Sequence, residues 1–298
     1  MLHEFIELMD EIRLGASSRV TLFTTSDGVR LNGLLSSGSS KRTCILFIHG
    51  MGGSAFSHVA LSLINYLPRS ASVFSINTRG YGLTSGLARY RRGKRRSMLG
   101  GTNFERFEDS PLDIRAAIDV LSRLGYKRII LCGHSTGCQK AAYYQYKSHD
   151  RRVKGIVLVA PCDDYNLHLR ALGSRYEKIA KECARMLRSG KGDNLAPYGN
   201  GFSAQRLDSV INPKRVESRL FNYDGKLSEF GRIKTPMLAI FGTREENAVK
   251  LPRAYLGILE RRTASKRFSS VLIEGANHSF YRAEKPLAKS IWGWIEKM

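Results

Sequence analysis

Short runs of consecutive apolar residues recur along the chain, and between them apolar residues return at every third or fourth position. A short apolar run is typical of a strand buried on both faces, whereas the wider spacing is typical of a helix. The runs predict buried strands at 44–48, 73–76, 129–132, 156–160, 237–241 and 271–273. Their alternation with helical stretches predicts an α/β fold with a mostly parallel, helix-covered sheet.

The beginning of the chain shows a different pattern. Two segments that favour strands, 20–23 and 29–34, flank Asp27-Gly28, and this dipeptide between strands predicts an antiparallel hairpin. Before the hairpin, apolar residues at helical spacing predict an amphipathic helix that docks on the rest of the protein, with a membrane or partner helix as the alternative. These residues are Leu2, Phe5, Ile6, Met9 and Ile12.

Helical spacing is clearest over 111–124, where we expect Ser110 to act as the N-cap and Asp113 to complete a capping box. A final helix is predicted over 286–297. The predicted strands at 156–160 and 237–241 are separated by far more residues than a crossover helix needs.

We therefore divide the chain into a core and an insertion. The core comprises 1–163 and 231–298, and the insertion, 164–230, is predicted to be a helical cap. A stripe of apolar residues at helical spacing supports the helical character of the insertion. The stripe consists of Leu172, Tyr176, Ile179, Cys183, Met186 and Leu187.

The charge of the chain is unusual. The 298 residues include 48 Lys and Arg against 26 Asp and Glu, which gives a formal net charge of +22. A nucleic-acid or anionic-membrane partner therefore has to be considered. The densest basic run, 89–96, is predicted to lie in a loop, and the remaining excess is spread along the chain. We favour a generally basic surface, with binding of nucleic acid or of an anionic surface as the alternative.

The five cysteines include no Cys-x-x-Cys pair, and several lie inside apolar runs. Buried free thiols fit a reducing compartment, so we expect a cytoplasmic protein. The chain has no secretory-type apolar leader and no apolar run long enough to span a membrane. We therefore expect a soluble protein without a transmembrane segment.

A candidate nucleophile, Ser135, follows the predicted strand at 129–132 within Gly133-His134-Ser135-Thr136-Gly137. A serine between a strand and a helix is held in a tight turn that projects its hydroxyl above the sheet. Gly133 and Gly137 leave room for that turn. The pattern Gly-x-Ser-x-Gly is weak alone, but here it has the strand before it and the helix after it that the motif requires.

A second glycine-rich segment, His49-Gly50-Met51-Gly52-Gly53, follows the predicted strand at 44–48. Gly50 and Gly52 allow backbone N–H groups to point into a site, where they stabilise an oxyanion. We assign the two oxyanion donors to the N–H groups of Met51 and Thr136, and interpret His49 as structural.

A serine nucleophile needs a general base, and His278 is the histidine that lies just after the last predicted strand. The acid that orients it is expected after the strand at 237–241. Glu245 is the first choice and Glu246 the alternative, since side chains of adjacent residues point apart and the other glutamate would be a solvated surface charge. Asp163 and Asp164, after the preceding strand, are weaker candidates.

These motifs and the order of the strands together resemble the α/β-hydrolase superfamily over nearly the whole chain. The order nucleophile, acid, histidine is that of the family, and Arg-Gly-Tyr-Gly at 79–82 is similar to its R-G-x-G turn. The sequence departs from the family pattern in having glutamate where aspartate is usual, and in the basic run 89–96.

The resemblance implies a serine hydrolase that cleaves a carboxylic ester, or a thioester or amide, through an acyl-enzyme intermediate. The alternative is a ligand-binding protein on the same fold with slow or no turnover. The expected partner is a small-molecule acyl substrate. We expect no cofactor and no metal, because the sequence has no P-loop, dinucleotide fingerprint or metal-ligand spacing.

Overall fold

A computed structural model describes residues 17–197 and 201–298 of the protein. The strands in these ranges are β1 (Ser18–Thr24), β2 (Arg30–Ser36), β3 (Thr43–Ile48), β4 (Ser72–Ile76), β5 (Ser85–Arg91), β6 (Lys94–Gly100), β7 (Arg128–His134), β8 (Val153–Val159), β9 (Met237–Gly242) and β10 (Phe268–Ile273). The α-helices are α1 (His58–Tyr66), α2 (Ser110–Arg123), α3 (Thr136–Ser148), α4 (Asp164–Leu172), α5 (Tyr176–Arg188), α6 (Ala204–Ile211), α7 (Val216–Leu220), α8 (Pro252–Arg262) and α9 (Glu284–Glu296). The predicted amino-terminal helix lies outside the described residues.

Eight strands form one sheet in the order β1-β2-β4-β3-β7-β8-β9-β10. The pairings of β1 with β2 and of β2 with β4 are antiparallel, and from β4 to β10 neighbouring strands are parallel. Strands β3, β4 and β9 are buried along their whole length, which explains their continuous apolar runs. The predicted fold class and the amino-terminal hairpin are confirmed.

The parallel arrangement brings several loops to one edge of the sheet. Since β3, β7, β8, β9 and β10 run in the same direction, the loops that follow them lie together at their carboxyl ends. This edge is where open α/β sheets bind ligands. It brings together the glycine-rich segment 49–53 and residues that follow β7 to β10.

The prediction of a loop at 89–96 was wrong. These residues form the outer part of a two-stranded antiparallel hairpin, in which β5 pairs with β6 from Ser85–Gly100 to Arg91–Lys94. Arg92 and Gly93 make the turn, both with positive φ (49° and 76°), as a two-residue hairpin turn requires. A run of cations lacks the apolar alternation of a strand, so the sequence pattern did not indicate the pairing.

The start of α2 also differs from the prediction. The helix begins at Ser110 after a 3₁₀ turn at Phe107–Asp109, so Ser110 is not the N-cap. Asp113 forms no capping box, because its carboxylate accepts hydrogen bonds from the backbone N–H (2.8 Å) and Nε (3.0 Å) of Arg79. Asp113 thus holds the turn after β4 in place.

Between β8 and β9 the chain forms helices α4 to α7, and residues of this region build a second apolar core. The predicted stripe supplies Ile179, Cys183 and Met186 to this core, and Leu207 and Ile211 pack with them from α6. None of the helices in 17–197 and 201–298 is long and apolar enough to cross a membrane.

Candidate active site

Ser135 alone connects β7 to α3, and its backbone is strained. Its φ of 56° and ψ of −128° lie in a region that residues with a side chain rarely adopt. The turn is also crowded, because a Cβ on Gly133 would lie 2.3 Å from the carbonyl oxygen of Gly137. A Cβ on Gly137 would lie 2.1 Å from the carbonyl oxygen of Ile48. Both glycines are therefore required for the turn that exposes the Ser135 side chain.

The glycine-rich segment after β3 lies directly against this turn. A Cβ on Gly50 would be 2.8 Å from the Cβ of Ser135, so only glycine allows this approach. Gly52 has a φ of 68°, in the left-handed region that favours glycine, and this allows the main chain to turn after Met51. Within the described part of the chain, neither the Met51 nor the Thr136 backbone N–H donates a hydrogen bond. Both donors are therefore free for an acceptor at the site.

His49 is enclosed in the core and has structural partners. Its Nδ1 lies 2.8 Å from the carbonyl oxygen of Gly50, and its Nε2 lies 3.2 Å from the backbone nitrogen of Thr78. Burial lowers the pKa of His49 to about 4, so the ring is neutral near pH 7. A neutral ring that donates through Nδ1 and accepts at Nε2 connects the glycine-rich segment to the residues after β4.

His278 and Glu245 form a close pair at the carboxyl edge of the sheet. The Nδ1 of His278 lies 2.7 Å from Oε1 of Glu245, whose side chain is fully buried. The same Oε1 accepts the backbone N–H of Asn247 at 3.0 Å. Because Nδ1 is engaged with the carboxylate, Nε2 is the nitrogen left to meet a second group.

Glu246, expected to be a solvated surface charge, instead makes a hydrogen bond to the main chain. Its side chain is exposed, but its Oε2 accepts the backbone N–H of His278 at 2.8 Å. The two adjacent glutamates therefore both hold His278, Glu245 by the ring and Glu246 by the main chain. The structure brings Glu245 to the imidazole and does not bring Glu246 there.

The two aspartates after β8 have other partners. Asp163 caps α4, since its Oδ1 accepts the backbone N–H of Asn166 at 3.2 Å. Asp164 Oδ2 accepts hydrogen bonds from Thr136 Oγ1 (2.9 Å) and Gln139 Nε2 (2.7 Å). Burial raises the pKa of Asp164 to about 6. This carboxylate thus fixes the side chain of the residue that follows Ser135.

Cys162 contacts the candidate nucleophile, a feature that the sequence analysis missed. The hydroxyl of Ser135 donates to Cys162 Sγ at 3.6 Å, and this sulfur lies 3.9 Å from Nδ1 of His278. Burial raises the pKa of the Cys162 thiol, so it stays uncharged. Its position just after β8, on the same edge as Ser135, was the signal in the sequence.

His134 also supports His278. Its Nε2 lies 2.9 Å from the carbonyl oxygen of His278, and the two ring centroids are 4.9 Å apart. Burial lowers the pKa of His134 to about 3, so it contributes a neutral donor and a packing surface. The variable residue of the Gly-x-Ser-x-Gly motif thus positions the loop that carries His278.

A cavity of about 510 Å³ lies at the candidate site. Ser135 and His278 both line it, although no hydrogen bond joins their side chains among residues 17–197 and 201–298. The remaining lining residues are Gly50, Met51, Gly53, Ser57, His134, Thr136, Cys162, Asp164, Leu167, His168, Ala171, Asn247 and Ser279. The volume and the mixture of apolar and polar side chains suit a small organic ligand.

The family described as alpha/beta hydrolase fold matches residues 43–200 of the chain. No curated protein matches the sequence. Among solved structures, an esterase from Pyrococcus furiosus has a TM-score of 0.61 at 17% identity, over 94% of this chain and 91% of the esterase. Est1E from Butyrivibrio proteoclasticus with bound ferulic acid has a TM-score of 0.61 at 14% identity, over 93% of this chain and 98% of Est1E.

A soluble variant of monoglyceride lipase from Saccharomyces cerevisiae, in complex with a substrate analogue, has a TM-score of 0.66 at 15% identity. That match covers 96% of this chain and 96% of the lipase. At such identities the likeness to these three proteins shows a shared fold.

Proposed function

Because the chain belongs to the α/β-hydrolase fold family, we propose that it is a serine hydrolase that cleaves a carboxylic ester. In this proposal Ser135 is the nucleophile, His278 the general base and Glu245 the acid. The observation that carries the proposal is that Ser135, in its strained turn, and His278, paired with Glu245, line the same cavity.

The reaction begins when the Ser135 hydroxyl rotates away from Cys162 toward Nε2 of His278. Nε2 accepts the proton as Oγ attacks the carbonyl carbon of the ester. Glu245 holds Nδ1 and stabilises the imidazolium that forms. Collapse of the tetrahedral intermediate breaks the bond to the alcohol, which takes the proton from His278. Water, deprotonated by the same histidine, then hydrolyses the acyl-Ser135 and releases the carboxylic acid.

The negative charge of the tetrahedral oxygen needs hydrogen-bond donors that are in place before the reaction. The backbone N–H groups of Met51 and Thr136, which donate no hydrogen bond within the described part of the chain, are our candidates. One such donor is worth roughly 10²–10³-fold in kcat. Gly50 allows the approach of the first donor, and Asp164 steadies the residue that supplies the second.

We further propose that the segment 164–230 acts as a cap over this cavity. Support comes from α4, the first helix of the segment, because four of its residues line the cavity: Asp164, Leu167, His168 and Ala171. The cap and the glycine-rich segment then enclose the acyl and alcohol groups between them. A cavity of about 510 Å³ fits an ester of modest size.

Labelling with a fluorophosphonate probe tests the proposal, because such probes react with an activated serine. We expect the wild type to be labelled, and Ser135→Ala and His278→Ala to be unlabelled. Ser279→Ala is the matched control, since Ser279 lines the same cavity but has no role in the mechanism. This variant should be labelled like the wild type.

Hydrolysis of a p-nitrophenyl ester gives a second readout. Loss of the nucleophile or the base from a serine hydrolase lowers kcat by up to about 10⁶-fold. Labelling that persists in Ser135→Ala would assign the reactive group to another residue. If the folded wild type neither reacts with the probe nor hydrolyses the ester, the result would contradict the proposal and favour the alternative, a ligand-binding protein on this fold.

A further inference from the structure

The outer part of the β5–β6 hairpin carries a dense positive charge. Six of the eight residues from 89 to 96 are Arg or Lys. Register pairs place these residues across from one another, as in Arg89 with Arg96 and Arg91 with Lys94. Like charges opposite one another destabilise a hairpin, so this arrangement has a cost to stability that an anionic partner would offset.

Most of these cations have no anionic partner among the residues that the structure describes. Arg89 is held by Asp27, through the carbonyl oxygen at 2.9 Å and the carboxylate at 3.5 Å. Within 17–197 and 201–298, the other five cations of the run form no ion pair and are exposed. They are Arg91, Arg92, Lys94, Arg95 and Arg96. Such a patch attracts a polyanionic surface.

The two faces of the hairpin differ. Side chains alternate along a strand, so Leu87 lies on one face and Tyr90 and Leu99 on the other. Leu87 is buried against the protein, whereas Leu99 is 58% exposed and Tyr90 is 38% exposed. Leu83, just before β5, is 65% exposed. Arg95, opposite Tyr90, lies on this outward face, whereas Arg91, Lys94 and Arg96 lie on the face of Leu87, and Arg92 is in the turn. All five cations are exposed, so the outer end of the hairpin combines cations with large apolar side chains, a combination typical of surfaces that enter the headgroup region of a membrane.

The base of the hairpin is attached to the candidate active site. The backbone N–H of Gly82, before β5, donates to the carbonyl oxygen of Gly53 at 2.8 Å. Thr102, after β6, accepts the backbone N–H of Gly52 at 2.7 Å through its hydroxyl. Leu83 also lies beside Gly52, where its Cδ2 would be 3.5 Å from an added Cβ. The outward face thus continues into the glycine-rich segment 49–53, which borders the cavity.

We propose that the hairpin 85–100 docks the protein on an anionic lipid surface. The cations of 89–96 contact the lipid headgroups, and Leu83, Tyr90 and Leu99 enter the interface. A nucleic acid would match the cations but would leave both exposed leucines in water, and Tyr90 is the only aromatic side chain in the hairpin to stack on a base. A lipid surface matches both features. The docking goes beyond the proposed ester hydrolysis and does not depend on it.

Co-sedimentation of the full chain with vesicles tests the docking. We expect binding to phosphatidylcholine vesicles that contain phosphatidylglycerol, weaker binding in high salt, and little binding to phosphatidylcholine alone. The triple variant R91E/R92E/R95E should bind the anionic vesicles at least about 100-fold more weakly, since each cation near such a surface contributes about a fivefold attraction. Its circular dichroism should match that of the wild type, and its thermal stability should be no lower, because R91E places opposite charges at the Arg91–Lys94 pair.

The control variant R151E/K154E/K234E makes the same change of charge elsewhere. All three residues are exposed, and they lie before or at the start of β8 and β9, at the edge of the sheet opposite the candidate site. This variant should lose much less vesicle affinity than the hairpin variant. Equal losses would mean that net charge alone attracts the protein, and would overturn the proposal.

The apolar contribution is tested by L83S/L99S, which leaves the charge unchanged. We expect this variant to bind anionic vesicles more weakly in high salt, where the electrostatic attraction is screened. Unchanged binding would remove the apolar part of the proposal. The wild type is also tested with single-stranded RNA and duplex DNA. Tight binding to either, with no binding to anionic vesicles, would overturn the proposal and identify a nucleic acid as the partner. Every readout is binding, so an inactive enzyme would not affect the result.

Discussion

Two regions of the protein are both fully buried but are stabilised by different interactions. The interior of the sheet is apolar, as shown by Ile130 and Ile156 on neighbouring strands β7 and β8, which have no exposed surface. The junction between the helices of 164–230 and the sheet contains buried charges. There Arg206 of α6 pairs with Glu217 of α7 and lies 3.6 Å from Glu105.

The charged junction continues into the helix that follows Ser135. Lys140 of α3 is 1% exposed, and its Nζ lies 2.7 Å from the other carboxylate oxygen of Glu105. Arg206 also donates from Nε to the carbonyl oxygen of Thr102 at 2.9 Å, next to the hairpin base. Charges therefore connect the proposed cap, α3 and the base of the hairpin.

The comparison shows how the two regions should respond to change. Apolar burial is non-directional, so the sheet tolerates substitutions that conserve volume and is indifferent to pH. A buried ion pair has lost its hydration and depends on its partner, so the junction is sensitive to removal of one partner and to protonation.

Removing one partner at the junction should have the largest effect. Arg206→Met leaves Glu217 buried without its cation, and we expect a loss of about 3–5 kcal/mol in the free energy of unfolding. Urea unfolding followed by circular dichroism measures it.

The double variant R206M/E217M is the control for this prediction. It removes both charges and fills their space with apolar atoms, so it should recover most of the lost stability. A double variant as unstable as Arg206→Met would show that packing, rather than the unpaired charge, causes the loss.

The second prediction concerns the pH dependence of stability at Asp164. Burial raises its pKa from 3.8 to about 6, so between these values the unfolded chain is ionised while the folded protein keeps the proton. Stability then falls as pH rises through this window, by up to about 3 kcal/mol. Asp164→Asn lacks this loss, so its stability relative to the wild type should improve between pH 4 and pH 7.

Asp150→Asn is the control of opposite sign. Burial opposes ionisation of Asp150, but hydrogen bonds from Arg152 and Tyr144 outweigh it and lower the pKa to about 2. The ionised carboxylate therefore stabilises the wild type above pH 4, and this stabilisation is lost as pH falls toward 2. Urea unfolding across the pH range should show opposite trends for the two variants, and parallel trends would refute the assignment.

A conservative change inside the sheet should have a smaller effect. Ile156→Val removes one methyl group from β8, and we expect a loss of about 0.5–1.5 kcal/mol. Because the strand partners of Ile156, Leu131 and Met237, are apolar, the loss should be the same at pH 4 and pH 7. A loss of stability that changes with pH would contradict the distinction drawn between the two regions.

The smallest effect is expected at an exposed ion pair. Arg185 lies 2.6 Å from Glu182 on α5, but water solvates both side chains. Arg185→Ala should leave the midpoint of urea unfolding unchanged within error. A shift as large as that of Ile156→Val would show that surface pairs contribute more here than their exposure indicates.

The sequence was most informative where the pattern is local. Each predicted buried strand overlaps an observed strand, and the helix predicted at 286–297 is observed as Glu284–Glu296. Prediction failed where local composition conflicts with pairing, as in the cationic hairpin over 89–96. It also failed at Asp113, because the partner of that residue, Arg79, is 34 residues away.

At the candidate site, the sequence led to Ser135, His278 and Glu245, and their roles stay predictions, as do the boundaries of the cap at 164 and 230. The contacts of Cys162 and Asp164 were not foreseen. Cys162 meets Ser135 across 27 residues and His278 across 116, and separations of this size carry no periodic signal.

The family, the sheet and the turn at Ser135 follow from local sequence, because apolar runs and glycines act through their immediate neighbours. The tertiary structure selects which glutamate contacts the ring of His278, since Glu245 and Glu246 differ by one position and the path of the main chain after β9 separates them. It also decided which of the many cations are buried in pairs and which remain exposed on the hairpin. Charge is read from composition, but solvation depends on what packs around each side chain.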